Sequence, residues 1–139
     1  MQIKGNSYYS TTTKKNTKGK FPSNCYEVGL TDIDLSNVTD EDELEQVEKF
    51  ISEHQKEVDV KEDGKVIGTT SALKIANSKY EIPMFDMNAN RLENAVALAN
   101  GTPINIEVEI KHSDKFNTDY MTVKAIQVLE PIKEFNPFK

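Results

Sequence analysis

The hydrophobic positions of the chain follow a helical period in one segment and a strand period in most others. Between residues 40 and 56, apolar or ring side chains recur at three- and four-residue spacing, as on one face of a helix. This stripe comprises Leu44, Val47, Phe50, Ile51 and His54. Thr39 precedes it as a candidate N-cap, and the acids of residues 40–43 suit the positive N-terminal end of a helix. The pattern predicts one helix over residues 40–56.

The clearest strand pattern lies in residues 104–111, where branched apolar side chains alternate with polar ones. After a polar connection at residues 112–119, residues 120–129 resume a strand pattern, so the two segments predict a long antiparallel hairpin. Asp63-Gly64 stands between two short apolar runs, which predicts a tight hairpin turn. Further strands are expected at residues 26–33, 71–76 and 80–85.

One helix with about five or more strands favours two architectures: a small Greek-key barrel of the OB type, or a β-sandwich covered by the helix. A chain of 139 residues has the length of one ordinary domain with a core of its own. We expect a single domain over residues 1–131, followed by a short C-terminal tail at residues 132–139.

The formal net charge is −6, but the charges are unevenly distributed along the sequence. Residues 1–20 carry five lysines and no acid, whereas residues 32–63 carry thirteen acids against three lysines. Nucleic-acid binding depends on where charge lies and not only on its sum. We expect most of the acidity to lie on the solvated face of the predicted helix, which leaves the N-terminal lysines for another role.

Membrane and secretion signals are missing from the sequence. No apolar run approaches the roughly 18 residues that a membrane span requires. The first residues lack the hydrophobic core of a signal peptide, and Cys25 has no second cysteine to pair with. We therefore expect a soluble protein of a reducing cytoplasm.

Candidate catalytic chemistry is sparse. Cys25 lies far in sequence from His54 and His112, and a small strand residue is the simpler interpretation of a lone cysteine. Asp32, Asp34 and the acids of residues 40–43 lack the glycine and terminal glutamate of a calcium loop. Phosphate-binding glycine loops, zinc-spaced Cys/His sets and nucleophile elbows are also missing. The sequence predicts no enzyme activity, catalytic residue, metal site or cofactor.

One stretch, residues 8–26, combines aromatic rings with positive charge: YYSTTTKKNTKGKFPSNCY. Its rings are Tyr8, Tyr9, Phe21 and Tyr26, and its lysines are Lys14, Lys15, Lys18 and Lys20. Lysines displace counterions from phosphates, and exposed rings offer faces on which unpaired bases stack, at ~1–3 kcal/mol per base. The same composition also fits a disordered basic arm, or an edge strand whose tyrosines pack inward. Tyr26, like Phe50 and Phe85, is assigned to the core.

The connection of the long hairpin repeats this combination. Lys115 and Phe116 lie at its tip, and Tyr120, Thr122 and Lys124 alternate along one face of the next strand. In OB-folds, such connecting loops and the adjoining sheet face bind oligonucleotides. The competing explanation places Phe116 in the core, which its polar neighbours disfavour.

Four segments, in this order, resemble the single-stranded-DNA-binding proteins that short-tailed (T-odd, podovirus-type) bacteriophages use in replication. YEVGLT at residue 26 resembles the family's early strand, and IPMFDMNANRL at residue 82 resembles its strand and turn before a basic residue. ANGTPINIEVEI at residue 99 is similar to the Gly-rich turn that opens the family's long β-ribbon. FNTDYMTVKAIQVLEP at residue 116 resembles the closing strand. The likeness covers roughly residues 8–131.

The resemblance implies an OB-fold-like, five-stranded Greek-key barrel with one helix inserted between the second and third strands. Placed before such a ribbon, residues 8–26 are expected to form the first strand and turn of a DNA-binding groove. It implies binding of single-stranded DNA with little sequence preference during phage DNA replication and recombination, in the cytoplasm of the infected bacterial host. It also implies protein partners, the phage DNA polymerase and helicase-primase, and a homodimer, engaged through an acidic C-terminal tail. Residues 132–139 depart from that pattern, with one Glu against two Lys, which puts the tail-mediated contacts in doubt.

The expected DNA-binding residues fall into two chemical groups. Phosphate contacts are expected from Lys14, Lys15, Lys18, Lys20, Lys115 and Lys124. Base stacking is expected on Tyr8, Tyr9, Phe21, Phe116 and Tyr120. The alternative function is a non-enzymatic, β-rich phage structural or adaptor protein that binds only protein. A small hydrolase that uses Cys25 is the third.

Overall fold

The structure is a computed structural model that describes residues 1–131 of the chain. These residues form seven strands and one helix. In chain order they are β1 (Gln2–Ser7), β2 (Tyr26–Asp34), α1 (Glu41–His54), β3 (Lys56–Glu62), β4 (Lys65–Ser78), β5 (Met84–Phe85), β6 (Pro103–Ser113) and β7 (Thr118–Val128). The tail expected at residues 132–139 lies outside the described residues.

The strands form one sheet in the order β3-β4-β2-β1-β6-β7-β5. The five strands β4, β2, β1, β6 and β7 are neighbours in this order and pair antiparallel. They correspond to the five strands of an OB barrel. The sheet curls until β4 and β7 approach each other, where Asn77 Nδ2 donates a hydrogen bond to the Met121 carbonyl oxygen. β3 extends the sheet beyond β4, and β5 pairs in parallel with β7. The fold is mainly β and OB-like, with α1 between β2 and β3, as predicted.

The first strand lies earlier in the chain than the sequence pattern suggested. β1 is Gln2–Ser7, so the aromatic and basic stretch that follows is not the first strand but the loop between β1 and β2. The inward positions of β1 are Ile3, Gly5 and Ser7, and two of these three carry no apolar side chain that would show the alternation. Gly5 is required by crowding, because a Cβ there would lie 2.9 Å from the Thr31 carbonyl oxygen.

The single helix confirms the prediction from the periodic stripe. It spans Glu41–His54 and not residues 40–56, and its N-cap lies one residue later than expected. Asp40, not Thr39, is the N-cap, and its Oδ1 accepts a hydrogen bond of 2.9 Å from the Glu43 backbone N–H. Val47 and Phe50 are the buried residues of the helix. Both belong to the core, which therefore lies partly between α1 and the sheet.

The two predicted hairpins are present. Asp63 and Gly64 both have positive φ, as a two-residue turn between β3 and β4 requires. The connection of the β6–β7 hairpin is shorter than expected, because His112 and Ser113 still pair with Asp119 and Thr118. The strand expected at residues 80–85 was too long, since only Met84–Phe85 adds to the sheet there.

The core is continuous through the barrel. Its fully buried side chains include Ile3, Val28, Leu30, Val47, Leu73, Ile104, Ile106 and Ile126. Phe50 belongs to this core as predicted, and Tyr26 packs against it while half-buried.

Candidate nucleic-acid interface

The connection between β1 and β2, residues 8–25, is called the basic loop here. Its four lysines, Lys14, Lys15, Lys18 and Lys20, are all exposed. In the described part of the chain none of them forms an ion pair. Phe21 is 89% exposed, and the Lys20 ammonium lies 5.7 Å from its ring centroid. The loop therefore presents free positive charge beside an uncovered aromatic ring.

A buried carboxylate anchors the basic loop to the barrel. Glu27, the second residue of β2, is only 3% exposed. Its carboxylate accepts hydrogen bonds from Ser23 Oγ (2.7 Å) and Asn16 Nδ2 (3.2 Å), which both belong to the loop. Lys74 Nζ of β4 lies 3.2 Å away and balances the charge. Burial alone would raise the pKa of Glu27, but these hydrogen bonds and the Lys74 charge outweigh it and lower the pKa.

Backbone hydrogen bonds tie down both ends of the same loop. Thr11 and Glu27 exchange N–H to carbonyl bonds of 2.9 and 3.1 Å, and Asn16 N donates to the Cys25 carbonyl oxygen at 2.9 Å. Tyr8 N donates to the Gly29 carbonyl oxygen at 2.9 Å, where the chain passes too close to β2 to leave room for a Cβ at Gly29. The lysines are thus carried on an anchored loop and not on a free arm.

The tip of the β6–β7 hairpin, residues 114–117, carries the second group of predicted side chains. Phe116 is 71% exposed, which rules out the competing core placement. The Lys115 ammonium lies 5.3 Å from its ring centroid. The tip therefore repeats the pairing of a cation with an uncovered ring that Lys20 and Phe21 make in the basic loop.

The outward face of β7 continues from this tip. Tyr120, Thr122 and Lys124 alternate with the buried Met121 and Val123, so the predicted alternation is confirmed. Tyr120 is 39% exposed. A carboxylate of the neighbouring strand β6 also lies on this face and pairs with Lys124.

Lys124 is shared with a carboxylate of β6. Its Nζ lies 3.6 Å from Glu109 Oε2, and Lys111 Nζ lies 3.9 Å from the same oxygen. All three side chains are about half exposed. Exposed ion pairs of this kind contribute only ~0–1 kcal/mol, so a phosphate can compete for either lysine.

Strand pairing relates the basic loop to β7. Tyr26, which follows the loop, pairs with Ser78 at the end of β4. The neighbouring Asn77 reaches Met121 of β7. The basic loop and the β6–β7 tip are the two connections that OB-folds use for oligonucleotides. The end of β4 therefore contacts both the strand that follows the basic loop and the strand that follows the β6–β7 tip.

Tyr8 and Tyr9 lie apart from these lysines, in a groove of about 840 Å³ beside the β3–β4 hairpin. Their rings contact each other edge to face at 4.7 Å. Three carboxylates, Asp32, Glu57 and Asp59, line the same groove against a single Lys61. Such a surface repels phosphates, so these two tyrosines are the weaker of the predicted stacking positions.

The acidic residues are divided between two places. The helix and its cap carry seven acids, and the expectation that acidity lies on a helix face accounts for these. The other six of residues 32–63 lie at the end of β2, along β3 and in its turn: Asp32, Asp34, Glu57, Asp59, Glu62 and Asp63. β3 directly follows the helix in the chain. The acids of the two elements therefore appeared in the sequence as one acidic segment, although they form two surfaces.

The sequence interpretation missed Lys79 and Tyr80. They follow β4 in an irregular segment, and with Thr122 and Lys124 they line a second groove of about 340 Å³. Tyr80 is 86% exposed. Assigning residues 80–85 to a strand concealed the exposure of Tyr80, although the polar run NSK before it was a signal of a loop.

Residues 1–131 hold no group of three or more His, Cys, Asp or Glu side chains arranged to bind a metal ion. Cys25 is half-buried in the basic loop, where its backbone N–H donates to Ser23 Oγ at 3.3 Å. His112 Nδ1 lies 2.9 Å from Asp119 Oδ1 across the hairpin, an exposed pair that spans two adjacent strands. No helix among these residues is long and apolar enough to cross a membrane.

Comparison with known proteins gives a likeness of fold. No protein-family model and no curated protein matches the sequence at a significant level. The structure is similar to gp2.5, a single-stranded DNA binding protein encoded by bacteriophage T7, with a TM-score of 0.53 and 11% identity over 96% of this chain and 93% of that one. It is also similar to the single-stranded DNA-binding protein of bacteriophage Enc34 in complex with ssDNA, with a TM-score of 0.52 and 14% identity over 97% and 89%. These structural neighbours are phage single-stranded-DNA-binding proteins, and at such identities the likeness establishes the fold.

Proposed function

We propose that this protein binds single-stranded DNA with little sequence preference and acts in phage DNA replication and recombination. The observation that carries the proposal is the pairing of uncovered rings with lysines on both oligonucleotide-binding loops of an OB-like barrel: Phe21 beside Lys20, and Phe116 beside Lys115. Every base has a face that can stack, so such rings bind without selecting a sequence. Neighbouring proteins of the same fold include one with bound ssDNA.

The proposed contacts follow the chemistry of each side chain. Lys14, Lys15, Lys18, Lys20, Lys115 and Lys124 would neutralise phosphates, and Phe21, Phe116 and Tyr120 would stack on bases. Tyr8 and Tyr9 stay in the proposal as secondary stacking positions, because carboxylates line their groove. No step of this function calls for a catalytic residue, a metal or a cofactor.

The deciding experiment is a fluorescence-anisotropy titration with a labelled oligothymidine over a series of salt concentrations. The proposal predicts preference for single strands over duplex and a log-log salt slope of about −0.7 for each phosphate neutralised. F116L is expected to weaken binding by about fivefold or more, the loss of one stacked base. Ile67→Ala, an exposed apolar residue of the β3–β4 hairpin, is the matched control and should bind like the wild type. Failure to bind at about 50 mM salt would rule the proposal out.

A function in binding only protein, as a structural or adaptor component, is the second candidate. Val66 and Ile67 favour it, because both are more than half exposed on the β3–β4 hairpin. The phage DNA polymerase and helicase-primase, together with a second copy of this chain, are the partners proposed for either function. A pull-down with these partners compares the wild type with V66S/I67S. Loss of binding in the variant would indicate an adaptor that uses this hairpin, and unchanged binding would show that the partners bind elsewhere.

A further inference from the structure

A groove at the closure of the barrel contains two residues, Lys79 and Tyr80, that have no role among the contacts proposed so far. It lies where the end of β4 approaches β7, and its volume of about 340 Å³ falls within the range of small-ligand sites, ~300–1,000 Å³. Asn77 to Pro83 form one wall, and residues 122–124 of β7 form the other. Two lysines, Lys79 and Lys124, line it against one acid, Glu81.

Tyr80 is the side chain that sets this groove apart. At 86% exposure it is nearly as uncovered as Phe21, and more uncovered than Phe116. It does not pack against the core cluster, although its neighbour Ile82 belongs to that cluster. Core packing therefore does not account for this ring, which shares its groove with two lysines, and exposed rings in positively charged grooves are what single-strand binding uses.

We propose that Lys79 and Tyr80 form an additional nucleotide-binding position, in which one unpaired base stacks on the Tyr80 ring while its phosphate meets Lys79. This position rests on the proposed single-strand function and extends its path. The groove continues the outward face of β7, because Thr122 and Lys124 belong to both. Tyr120 lies two residues before Thr122, a step of ~7 Å along a strand.

The charge of the groove selects its occupant. The Tyr8 and Tyr9 groove also offers rings, but there three carboxylates oppose one lysine. At Tyr80 two lysines face one glutamate, and although Lys124 also pairs with Glu109 of β6 at 3.6 Å, Lys79 forms no ion pair within residues 1–131. Cations beside a ring suit an anionic ligand with a flat face, which describes a nucleotide and not a lysine-rich peptide.

Two variants at Tyr80 test the proposal in the full chain. Y80L keeps an apolar side chain but removes the ring, and it should weaken oligothymidine binding by about fivefold or more with an unchanged salt slope. Y80F keeps the ring and should stay within about twofold of the wild type. Lys79→Ala should lower the magnitude of the log-log salt slope by about 0.7.

A second readout uses the absence of tryptophan from the sequence, which leaves tyrosine emission unobscured. Stacked bases should quench part of that emission, and Y80F should lose its share of the quenching while keeping its affinity. Equal quenching in Y80F and wild type, together with wild-type affinity in Y80L, would overturn the Tyr80 position.

The F116L variant separates failure of this position from failure of the function. If F116L weakens binding and Y80L does not, DNA binding stands and the Tyr80 position is wrong. If the wild type itself fails to bind single strands, the proposed function is wrong and the position falls with it. Thermal unfolding of each variant shows whether a loss of affinity reflects a loss of folded protein.

Discussion

At the scale of single residues, Gly29 decides how the basic loop leaves the barrel. A Cβ at this position would overlap the Tyr8 carbonyl oxygen, which is backbone and cannot rotate away. The loop can therefore pass over β2 only while residue 29 is glycine. By contrast, Gly68 in β4 has nothing within 4 Å of the position that its Cβ would take.

We expect Gly29→Ala to destabilise the fold by ~1–3 kcal/mol, the cost of forcing atoms into a filled space. Gly68→Ala is the matched control, and it should change the free energy of unfolding by less than ~1 kcal/mol. Urea denaturation followed by circular dichroism measures both. Equal stabilities for the two variants would show that the close approach of Tyr8 to β2 is not required.

Glu27 gives the molecule a pH dependence of predictable sign. Because its pKa in the folded protein is lowered from the usual value of 4.5, its contribution to stability is present above that value and is lost as the pH falls through the folded pKa. We expect Glu27→Gln to be less stable than the wild type at neutral pH and to lose less stability on acidification. The difference in unfolding free energy between the two proteins should shrink below about pH 4.5.

Asp34 also has a lowered pKa, but it does not affect this comparison. A hydrogen bond from the Ser36 backbone N–H lowers the pKa of Asp34, and it does so in both proteins. Its contribution therefore cancels from the comparison. Parallel stability curves for wild type and Glu27→Gln across the acid range would contradict the assignment to Glu27.

At the scale of secondary-structure elements, the sequence predicted what neighbouring residues determine. The helix and the β6–β7 hairpin each show their period within one continuous segment, and Asp63-Gly64 marks its turn locally. β1 could not be found this way, because its inward Gly5 is required by β2, about 25 residues later in the sequence. The aromatic rings show the same limit. The polar neighbours of Phe116 correctly indicated its exposure, whereas the carboxylates around Tyr9 come from β2 and β3, which are distant in sequence.

The two grooves predict different sensitivities to the loss of a ring. We expect Tyr9→Leu to change single-strand affinity by less than F116L does, because three carboxylates share the groove of Tyr9. The same anisotropy titration at low salt measures both variants. A larger loss in Tyr9→Leu than in F116L would place the main DNA path in the acidic groove.

At the scale of the whole molecule, the barrel is closed by a side chain and not by a complete ladder. Asn77 of β4 donates to the Met121 carbonyl oxygen of β7, and this bond joins the two ends of the five-strand curl. The groove of Lys79 and Tyr80 lies at this same closure. This bond therefore contributes both to stability and to the shape of the proposed DNA path.

We expect Asn77→Ala to lower the free energy of unfolding by ~1–2 kcal/mol, since the Met121 carbonyl loses its partner. Hydrogen exchange should quicken first in β7 near Met121. Asn88→Ala, in an exposed turn, is the control and should leave both measurements unchanged. An Asn77→Ala protein with wild-type stability and exchange would show that the curl closes without this bond.

The position of β3 at the end of the sheet has a consequence for solubility. β3 pairs with β4 on one side, and within residues 1–131 no strand pairs with its other side. Open edges of this kind template the pairing of separate molecules unless charges interrupt them. Glu57, Asp59, Lys61 and Glu62 supply that interruption along the strand. A variant in which threonine replaces all four would leave most of this edge uncharged, and its concentrated solutions are expected to form fibrils through β3.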